Sequence, residues 1–434
     1  MTEGSIAGHL IKFALPLFLG NVFQQLYNTA DAFIVGNWRG SEALAAVSSS
    51  GSLIFLLIGF FNGIAIGAGV VISRFYGASD NQKLHKAIHT AVAFGLICAL
   101  LMTAIGVFLT PTFLMWMGTP DDVLPDSVIY FRVYFAGSLG MVMYNIFMGI
   151  HNAVGDSRHP LMYLILSSCI NIVLDLLFVA VLGMGVGAAA FATIMSQLIS
   201  AILSMRHLMK SDAAYKFEIR ELCLDREMLR NIIRNGLPTG IQNSIISVGN
   251  VVVQSHINAF GAAAMAGVGA YQKIEGFGFL PITAFSMALT TFVSQNIGAG
   301  KYDRVKKGAV FGIISGAALA EIIGAALYIF GPTLIGLFDS SASSIEYGTQ
   351  YMRVPTLFYF LLATSHCCAA VLRGSDHAVV PMVVMAADWC AFRILYVSLA
   401  TSLFPQLSTV ATAYPVTWTI SSVIFIIYLI RRLR

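Results

Sequence analysis

The sequence predicts an all-α integral membrane protein with twelve transmembrane helices, arranged as two parallel, pseudo-symmetric six-helix bundles around a central cavity. Three observations predict this fold: the composition, the spacing of the apolar stretches and an internal repeat. The chain has 434 residues, of which 57% are hydrophobic and only 11% are charged, against roughly a quarter charged in an ordinary soluble domain. This composition excludes a soluble globular domain, a disordered chain, a coiled coil and a nucleic-acid-binding protein.

Twelve apolar stretches are long enough to cross a bilayer, because a membrane-spanning helix needs about 20 residues. Glycine, proline or clustered charges separate them. The first stretch carries polar residues along its length, which is not typical of a signal peptide. The predicted spans are 11–36, 48–73, 87–110, 128–150, 160–182, 186–205, 233–257, 266–295, 308–331, 349–371, 378–403 and 408–430.

The charges between the spans predict the orientation of the chain. Basic residues such as Arg74 and Lys307 follow even-numbered spans, whereas Asp121, Asp122 and Asp126 follow the third span. Because basic loops stay on the cytoplasmic side, both termini are predicted to be cytoplasmic, with the protein in the inner (plasma) membrane. The longest connection, 206–232, is predicted to be a cytoplasmic linker that is amphipathic and helical.

An internal repeat relates the two halves of the chain at an offset of about 221 residues. Tyr130-x-Arg132-Val133 matches Tyr351-x-Arg353-Val354, and Pro16 pairs with Pro238 after a slip of one residue. Since each half has an even number of spans, residues 1–205 and 233–434 form bundles of the same orientation. Parallel halves around a cavity are typical of secondary transporters that work by alternating access, and the filter or charged ring of a channel is not evident.

Polar residues inside the spans are candidates for function, because they are costly in lipid. Asp31 ends a stripe along one face of the first span that includes Gln24 and Asn28. Asn171 and Asp175 are four residues apart in span five, and span six contributes Thr193. These oxygens suit either a proton or Na⁺, and the sequence leaves the choice open.

The repeat assigns different roles to the two halves, because neither Asp31 nor Asp175 has an acidic counterpart in the second half. Ion coupling is therefore predicted in the first half. The second half has an uncharged stripe in span seven that is predicted to contact substrate. This stripe consists of Asn243, Asn250 and Gln254.

Each of these residues also has a structural interpretation. Asp31 and Asp175 can hydrogen-bond neighbouring helices, and Asn171 and Thr193 can join helices as polar contacts. Glu275, near Lys273, is either half of an interfacial ion pair or a substrate contact.

Other ionisable residues are left with open roles, and we expect the nine histidines and six cysteines to form no metal site. Asp388, five residues before Arg393, suggests an internal salt bridge, and Glu321 and His256 have no assigned role.

Together these features resemble the multidrug and toxic compound extrusion (MATE) transporters. The resemblance rests on Ala14-Leu15-Pro16, the run from Gln24 to Gly36, Asn171-Ile172-Val173-Leu174-Asp175 and the segment from Gly187 to Thr193. It covers essentially the whole chain and implies export of organic, often cationic, amphipathic compounds by H⁺ or Na⁺ antiport, without another cofactor. The resemblance also implies a set of site residues. It assigns the cation site to Asp31, Asn171, Asp175 and Thr193, with Tyr130 nearby, and a bend to Pro16.

The seventh span has no acidic residue, which places the chain nearer the DinF-like than the NorM-like branch of that family. A flippase of lipid-linked saccharides, from the same superfamily, is the alternative, although such proteins usually have more basic residues in the cavity. The major facilitator class is disfavoured because Asn81 stands where its loop motif has arginine. An integral membrane enzyme would need a histidine or metal constellation. We expect a monomeric unit in contact with membrane lipid.

Overall fold

The computed structural model describes the backbone of residues 1–116, 119 and 123–433, and the side chains of these residues except 32, 36, 39–58, 60 and 433. Within these ranges the chain forms fourteen α-helices and no strand. The predicted acidic loop residues Asp121 and Asp122 lie outside the described residues. The helices are α1 Ile6–Gly77, α2 Asn81–Trp116, α3 Leu124–Ala136, α4 Ser138–Ala153, α5 Arg158–Asp175, α6 Val186–Lys210, α7 Arg226–Asn258, α8 Ala262–Gly298, α9 Tyr302–Gly336, α10 Ala342–Thr356, α11 Tyr359–Gly374, α12 Val379–Met385, α13 Arg393–Leu403 and α14 Leu407–Leu433.

Ten of the twelve predicted spans correspond to helical segments long and apolar enough to cross a membrane, over the residues that the structure describes. Eight are single segments, and two are bent pairs, α3 with α4 at 48° and α10 with α11 at 52°. The second predicted span lies in α1, and the side chains of its residues 48–58 are outside the described set. The seventh predicted span corresponds to α7, which has 33 residues but is too polar to be counted among the membrane-crossing segments.

The two bends have local causes. Gly137 separates α3 from α4, and a Cβ placed there would lie 2.1 Å from the side chain of Ile194. Only glycine therefore allows α6 to approach this break. In the second bent pair, Pro355 is the penultimate residue of α10, and a proline within a helix removes a backbone N–H donor.

Two π-helical segments interrupt the fifth and eleventh predicted spans. Residues Leu176–Val181 follow Asp175 directly, and Ala386–Phe392 contains Asp388 between α12 and α13. Short π-helical segments widen a helix locally and are frequent at functional sites. Each segment here adjoins an intramembrane acid.

The connection between α6 and α7 differs from the predicted amphipathic helix. Helix α6 ends at Lys210 and α7 begins at Arg226, and between them the only helical element is a 3₁₀ turn at Ile219–Glu221. The segment is anchored by Phe217, which is buried against His89 and Phe147. Its few apolar residues therefore serve a local contact and do not form a helical stripe.

The chain divides into two compact units, which we call the N-terminal unit, residues 19–240, and the C-terminal unit, residues 1–18 and 241–434. The two boundaries fall two residues after Pro16 and two residues after Pro238, the pair that the repeat predicts. Helices α1 and α7 each continue across a boundary, so each contributes to both units.

Close backbone contacts hold α7 within the N-terminal unit. A Cβ on Gly63 would lie 2.2 Å from the backbone of Gly240, and a Cβ on Gly67 would lie 2.3 Å from that of Gly236. No side chain larger than hydrogen fits at this crossing of α1 and α7 without separating the helices.

The first residues of the chain are anchored within the C-terminal unit. Arg304 donates hydrogen bonds to the carbonyl oxygens of Met1, Glu3 and Gly4, and the amino terminus donates to Gln295 Oε1 at 3.1 Å. The guanidinium of Arg304 also lies 5.5 Å from the ring centre of Phe292. The start of α1 is thus fixed to α8 and α9.

Candidate cation site in the N-terminal unit

The structure brings Asp31 of α1 together with Asp175 at the end of α5. Asp31 is 9% exposed and Asp175 is fully buried. Their carboxyl groups lie within hydrogen-bonding reach of each other, an interaction that requires a proton on one of them. With both groups ionised, Asp31 Oδ1 and both carboxylate oxygens of Asp175 have no donor. Buried oxygens of this kind are costly unless a ligand or a proton satisfies them.

Asn171 and Thr193 complete the predicted set on the same side of Asp175. Asn171 Nδ2 donates to Thr193 Oγ1 at 3.4 Å, and Thr193 Oγ1 donates to the carbonyl of Ala189 at 3.1 Å. Asn171 also interacts with the Asp175 carboxyl one helical turn away. Its own Oδ1 is buried without a partner. Three elements, α1, α5 and α6, therefore present oxygens to one place.

Tyrosines surround the two acids. Tyr130 of α3 is buried and interacts electrostatically with both carboxyls, and its ring stacks on Tyr134 at 6.1 Å. Tyr27, one helical turn before Asp31, is buried, interacts with both acids and hydrogen-bonds Gln197. Sequence reasoning omitted Tyr27 and Tyr134 from the site. The spacing of four residues between Tyr27 and Asp31 is the signal that could have found Tyr27.

A small aliphatic cluster lies beside the acids and limits the access of water. It includes Ile34 and Val35 of α1 and Ala189 and Ala190 of α6, packed with Tyr130. Among the residues that the structure describes, no basic side chain forms a salt bridge with Asp31 or Asp175. A low-dielectric site with two acids and no cation attracts a small cation. The oxygens of Asp31, Asp175, Asn171 and Thr193 fit either H⁺ or Na⁺.

The residues predicted to line a substrate cavity lie on several elements. Gln24 and Asn28 are exposed on α1, where Gln24 lies beside Tyr27, and Asn243 is half-buried on α7. Asn250 Oδ1 accepts a hydrogen bond from Arg393 at 3.2 Å. Gln254 donates to Asn258 and accepts from Gln272.

Glu275 lies in a tyrosine pair and not in the ion pair with Lys273 that was one of its two interpretations. Its Oε1 accepts from Tyr271 at 2.8 Å and from Tyr359 at 3.0 Å, and the two hydroxyls lie 3.0 Å apart. Lys273 instead lies 5.7 Å from the ring centre of Phe338. The carboxylate is therefore held by neutral donors within the C-terminal unit.

The predicted salt bridge between Asp388 and Arg393 is not formed. Both side chains are buried, and they interact electrostatically, but over the described residues no contact within 4 Å joins them. Arg393 instead donates to Asn250 and to Thr417 Oγ1 at 2.8 Å, and its guanidinium lies 4.6 Å from the ring centre of Tyr414. Five residues apart on a regular α-helix, two side chains lie about 140° apart around the axis, so this spacing does not favour a salt bridge.

The two remaining residues without an assigned role each contact a backbone group. Glu321 accepts a hydrogen bond from the backbone N–H of Phe360 at 3.2 Å. His256 Nδ1 lies 3.0 Å from the carbonyl oxygen of Val252, one helical turn earlier.

Two groups of histidine and acidic side chains have a geometry that could hold a metal ion, because each places three ligand atoms within 4.8 Å of one another. In the first, His85 and His89 have the spacing H-x-x-x-H, which the sequence contains, and their rings stack at 3.9 Å. Sequence reasoning missed this pair, and it could not see the second group, which comes from separate helices. The groups are His85, His89 and Glu221, and His151, Asp156 and His207.

Comparison with known proteins identifies the family. The MatE family model matches residues 16–177 and again 238–399, so each half carries one copy. The "Probable multidrug resistance protein YoeA" of Bacillus subtilis is 29% identical over 88% of this chain and 84% of its own length. The "FAD transporter" of Shewanella oneidensis is 25% identical over 90% of this chain and 86% of its own.

A solved structure shares the fold. It is titled as the outward-facing conformation of a multidrug resistance MATE family transporter of the MOP superfamily, and the two superpose with a TM-score of 0.93 at 22% identity, covering 99% of this chain and 96% of the other. The two matches of the family model begin at Pro16 and Pro238, the pair that the repeat predicts. The chain therefore belongs to the MatE family, the transporters that its sequence resembles, and is a membrane transporter and not an enzyme.

Proposed function

We propose that this protein is a secondary active multidrug efflux transporter that exports organic, often cationic, amphipathic compounds in exchange for H⁺. This proposal rests on the two buried acids, Asp31 and Asp175, whose buried oxygens have no hydrogen-bond donor. Relatives with the names of multidrug resistance proteins support the substrate class. The protein would act in the plasma membrane, surrounded by lipid, as a monomer with both termini in the cytoplasm.

The acid pair favours H⁺ over Na⁺ as the coupling ion. Two ionised carboxylates in contact repel each other strongly where water is excluded, and one proton between them removes the repulsion and makes a hydrogen bond. Na⁺ would need several oxygen ligands at once, from Asn171 and Thr193 as well as from the two acids. The shared proton requires only the two carboxyls, which are already in reach of each other.

Coupling would work through α1. Asp31 is on α1 while Asp175 and Asn171 are on α5, so a bend of α1 separates the acids and lowers their affinity for the shared proton. A ligand shifts a conformational equilibrium only by its differential affinity for the two states. Pro16 lacks the N–H that would stiffen the helix, and we propose it as the bending point while bundles 1–205 and 233–434, joined by linker 206–232, rock about a central cavity.

The deciding experiment is transport by purified protein in liposomes loaded with a fluorescent organic cation, under either a pH gradient or a Na⁺ gradient. A pH gradient should drive transport with Na⁺ absent. Transport that responds only to Na⁺ would overturn the choice of ion. A panel that includes FAD tests the substrate class, because one relative has that name; transport of FAD with no transport of organic cations would overturn multidrug efflux.

A further inference from the structure

Three histidines and an aspartate meet at one end of the N-terminal unit. His151 lies in the last turn of α4, Asp156 in the following loop, His159 in the first turn of α5 and His207 in the last turn of α6. None of these residues belongs to the acid pair described above. By the predicted orientation, this end of the unit faces the cytoplasm.

The geometry of the group suits a metal ion. Asp156 Oδ2 lies 2.7 Å from His159 Nδ1 and 3.2 Å from His151 Nδ1. The ring of His207 lies 4.0 Å from that of His159 and 5.1 Å from that of His151. One ligand atom from each of His151, Asp156 and His207 lies within 4.8 Å of the others. Ligand atoms on a tetrahedral Zn²⁺ are roughly 3.4 Å apart, so small side-chain movements would complete the site.

The buried histidine supplies an independent sign of a missing ligand. His151 is 0% exposed, and neither of its ring nitrogens has a hydrogen-bond partner, although Nδ1 lies 3.2 Å from Asp156 Oδ2. A buried imidazole nitrogen without a partner loses the hydrogen bond that it would make to water. A separation of 3.2 Å is close to that of two ligand atoms on one tetrahedral ion, so Nδ1 and Asp156 can bind the same metal.

The other members are held in place by hydrogen bonds. His207 Nδ1 lies 3.0 Å from the hydroxyl of Tyr163, which leaves its Nε2 for a ligand. Asp156 Oδ1 accepts from the backbone N–H groups of Arg158 and His159.

The second histidine group lacks these properties. His89 Nδ1 lies 2.8 Å from the carbonyl of His85, and its Nε2 accepts from the backbone N–H of Glu218 at 3.1 Å. Both ring nitrogens of His89 are thus already used by the backbone, and metal binding there would break two hydrogen bonds. The group of His85, His89 and Glu221 serves as a natural control.

We propose that His151, Asp156 and His207, with His159 beside them, form a binding site for a first-row divalent transition metal, of which Zn²⁺ is the best match. Imidazole and carboxylate ligands suit Zn²⁺, which accepts three protein ligands and a fourth from protein or water. The ion would tie together the ends of α4, α5 and α6. Helices α5 and α6 carry Asn171, Asp175 and Thr193, so the metal would stiffen the frame of the cation site without touching it.

The test uses Co²⁺ and Zn²⁺ on the purified full-length protein in detergent, after removal of metals by chelation. Co²⁺ should give the intense visible absorption of a tetrahedral site at one equivalent, Zn²⁺ should displace it, and Zn²⁺ should raise the midpoint of thermal unfolding. His207→Ala should abolish the Co²⁺ spectrum, whereas the matched control His85→Ala should keep it. No tetrahedral spectrum in the wild-type protein, or its survival in His207→Ala, would overturn the site.

A second variant covers the case in which His207→Ala does not fold, which the midpoint of thermal unfolding without metal reveals. Tyr163→Phe keeps the three proposed ligands and His159 and removes only the hydroxyl that orients His207. It should weaken Zn²⁺ binding by about tenfold or more, the usual effect of losing such a contact. Unchanged affinity in Tyr163→Phe would contradict the proposed role of His207. None of these measurements depends on transport, so the site and the proposed function can fail separately.

Discussion

The acids inside the two units differ in their neighbours, because those of the C-terminal unit have tyrosine donors or, at Asp388, a nearby arginine. In the N-terminal unit Asp31 and Asp175 face each other with no basic partner among the described residues, and three of their four oxygens lack a donor. In the C-terminal unit Glu275 accepts from two tyrosines, and Arg393 donates to Asn250 and Thr417. Satisfied buried charges stabilise a structure, while unsatisfied ones cost stability and are typical of functional sites.

The largest effect should come from removing either acid of the N-terminal pair. Asp175→Asn and Asp31→Asn should each reduce proton-driven transport in liposomes to the rate of protein-free liposomes. An amide does not take up or release a proton, so the remaining carboxyl would lose the partner with which it shares one. The midpoint of thermal unfolding should not fall, since the substitution removes a buried charge without a donor.

Asp388→Asn is the matched control in the C-terminal unit. Asp388 is also buried, but its carboxyl lies near the cation Arg393 and near Ser421. This variant should keep its dependence on the pH gradient and change stability or substrate range instead. Loss of proton coupling in Asp388→Asn, with coupling retained in Asp175→Asn, would reverse the comparison.

Arg393→Met should be the most destabilising change in the C-terminal unit. It removes the donors to Asn250 and Thr417 and leaves Asp388 buried without its nearby cation. Breaking a buried charged interaction by removing one member costs about 3 to 5 kcal/mol, which should appear as a clearly lowered midpoint of thermal unfolding in detergent. Arg132→Met, which loses a single bond to the carbonyl of Val107 from a more exposed side chain, is the control and should shift it much less.

Pro16→Ala should slow transport several-fold without changing the affinity for substrate. The alanine restores an N–H and favours a straight α1, since proline inside a helix costs about 3 kcal/mol. Transport rate and substrate binding are measured on the same preparation. Pro238→Ala, at the matching position of the repeat, is the control. Equal slowing in both variants would mean that bending is shared by α1 and α7 and is not specific to Pro16.

Tyr359→Phe should have the smallest effect. It removes one of the two hydroxyls that donate to Glu275, and Tyr271 remains. Loss of one such hydrogen bond costs about 1 kcal/mol, so the midpoint of thermal unfolding should fall slightly and proton-driven transport should continue. A complete loss of transport would show that Glu275 takes part in coupling, and the two units would then not differ in the way described above.

The sequence was sufficient for features that depend on local spacing. Apolar length predicts the spans, and the spacing of four residues places Asn171 and Asp175 on one face of α5. The repeat predicts the pairing of Pro16 with Pro238, at which the two matches of the family model begin.

Features that depend on tertiary contact were out of reach. The partners of Arg393 are Asn250 of α7 and Thr417 of α14, and its separation of five residues from Asp388 could not show them. The partners of Glu275 come from α8 and α11, and the group around Asp156 draws on three helices. The linker 206–232 is predicted to be amphipathic and helical, but residues 211–225 lie between α6 and α7, and Phe217 fixes them by contact with α2 and α4.

The glycine crossing of α1 and α7 has a consequence for dividing the protein into fragments. Residues 226–240 pack in the N-terminal unit through Gly236 and Gly240, while residues 1–18 are fixed in the C-terminal unit through Arg304. A cut in the segment 211–225 would therefore leave each fragment without a piece of helix that its own unit needs. Two such fragments should be degraded when produced alone and recover a stable transporter only when produced in the same cell.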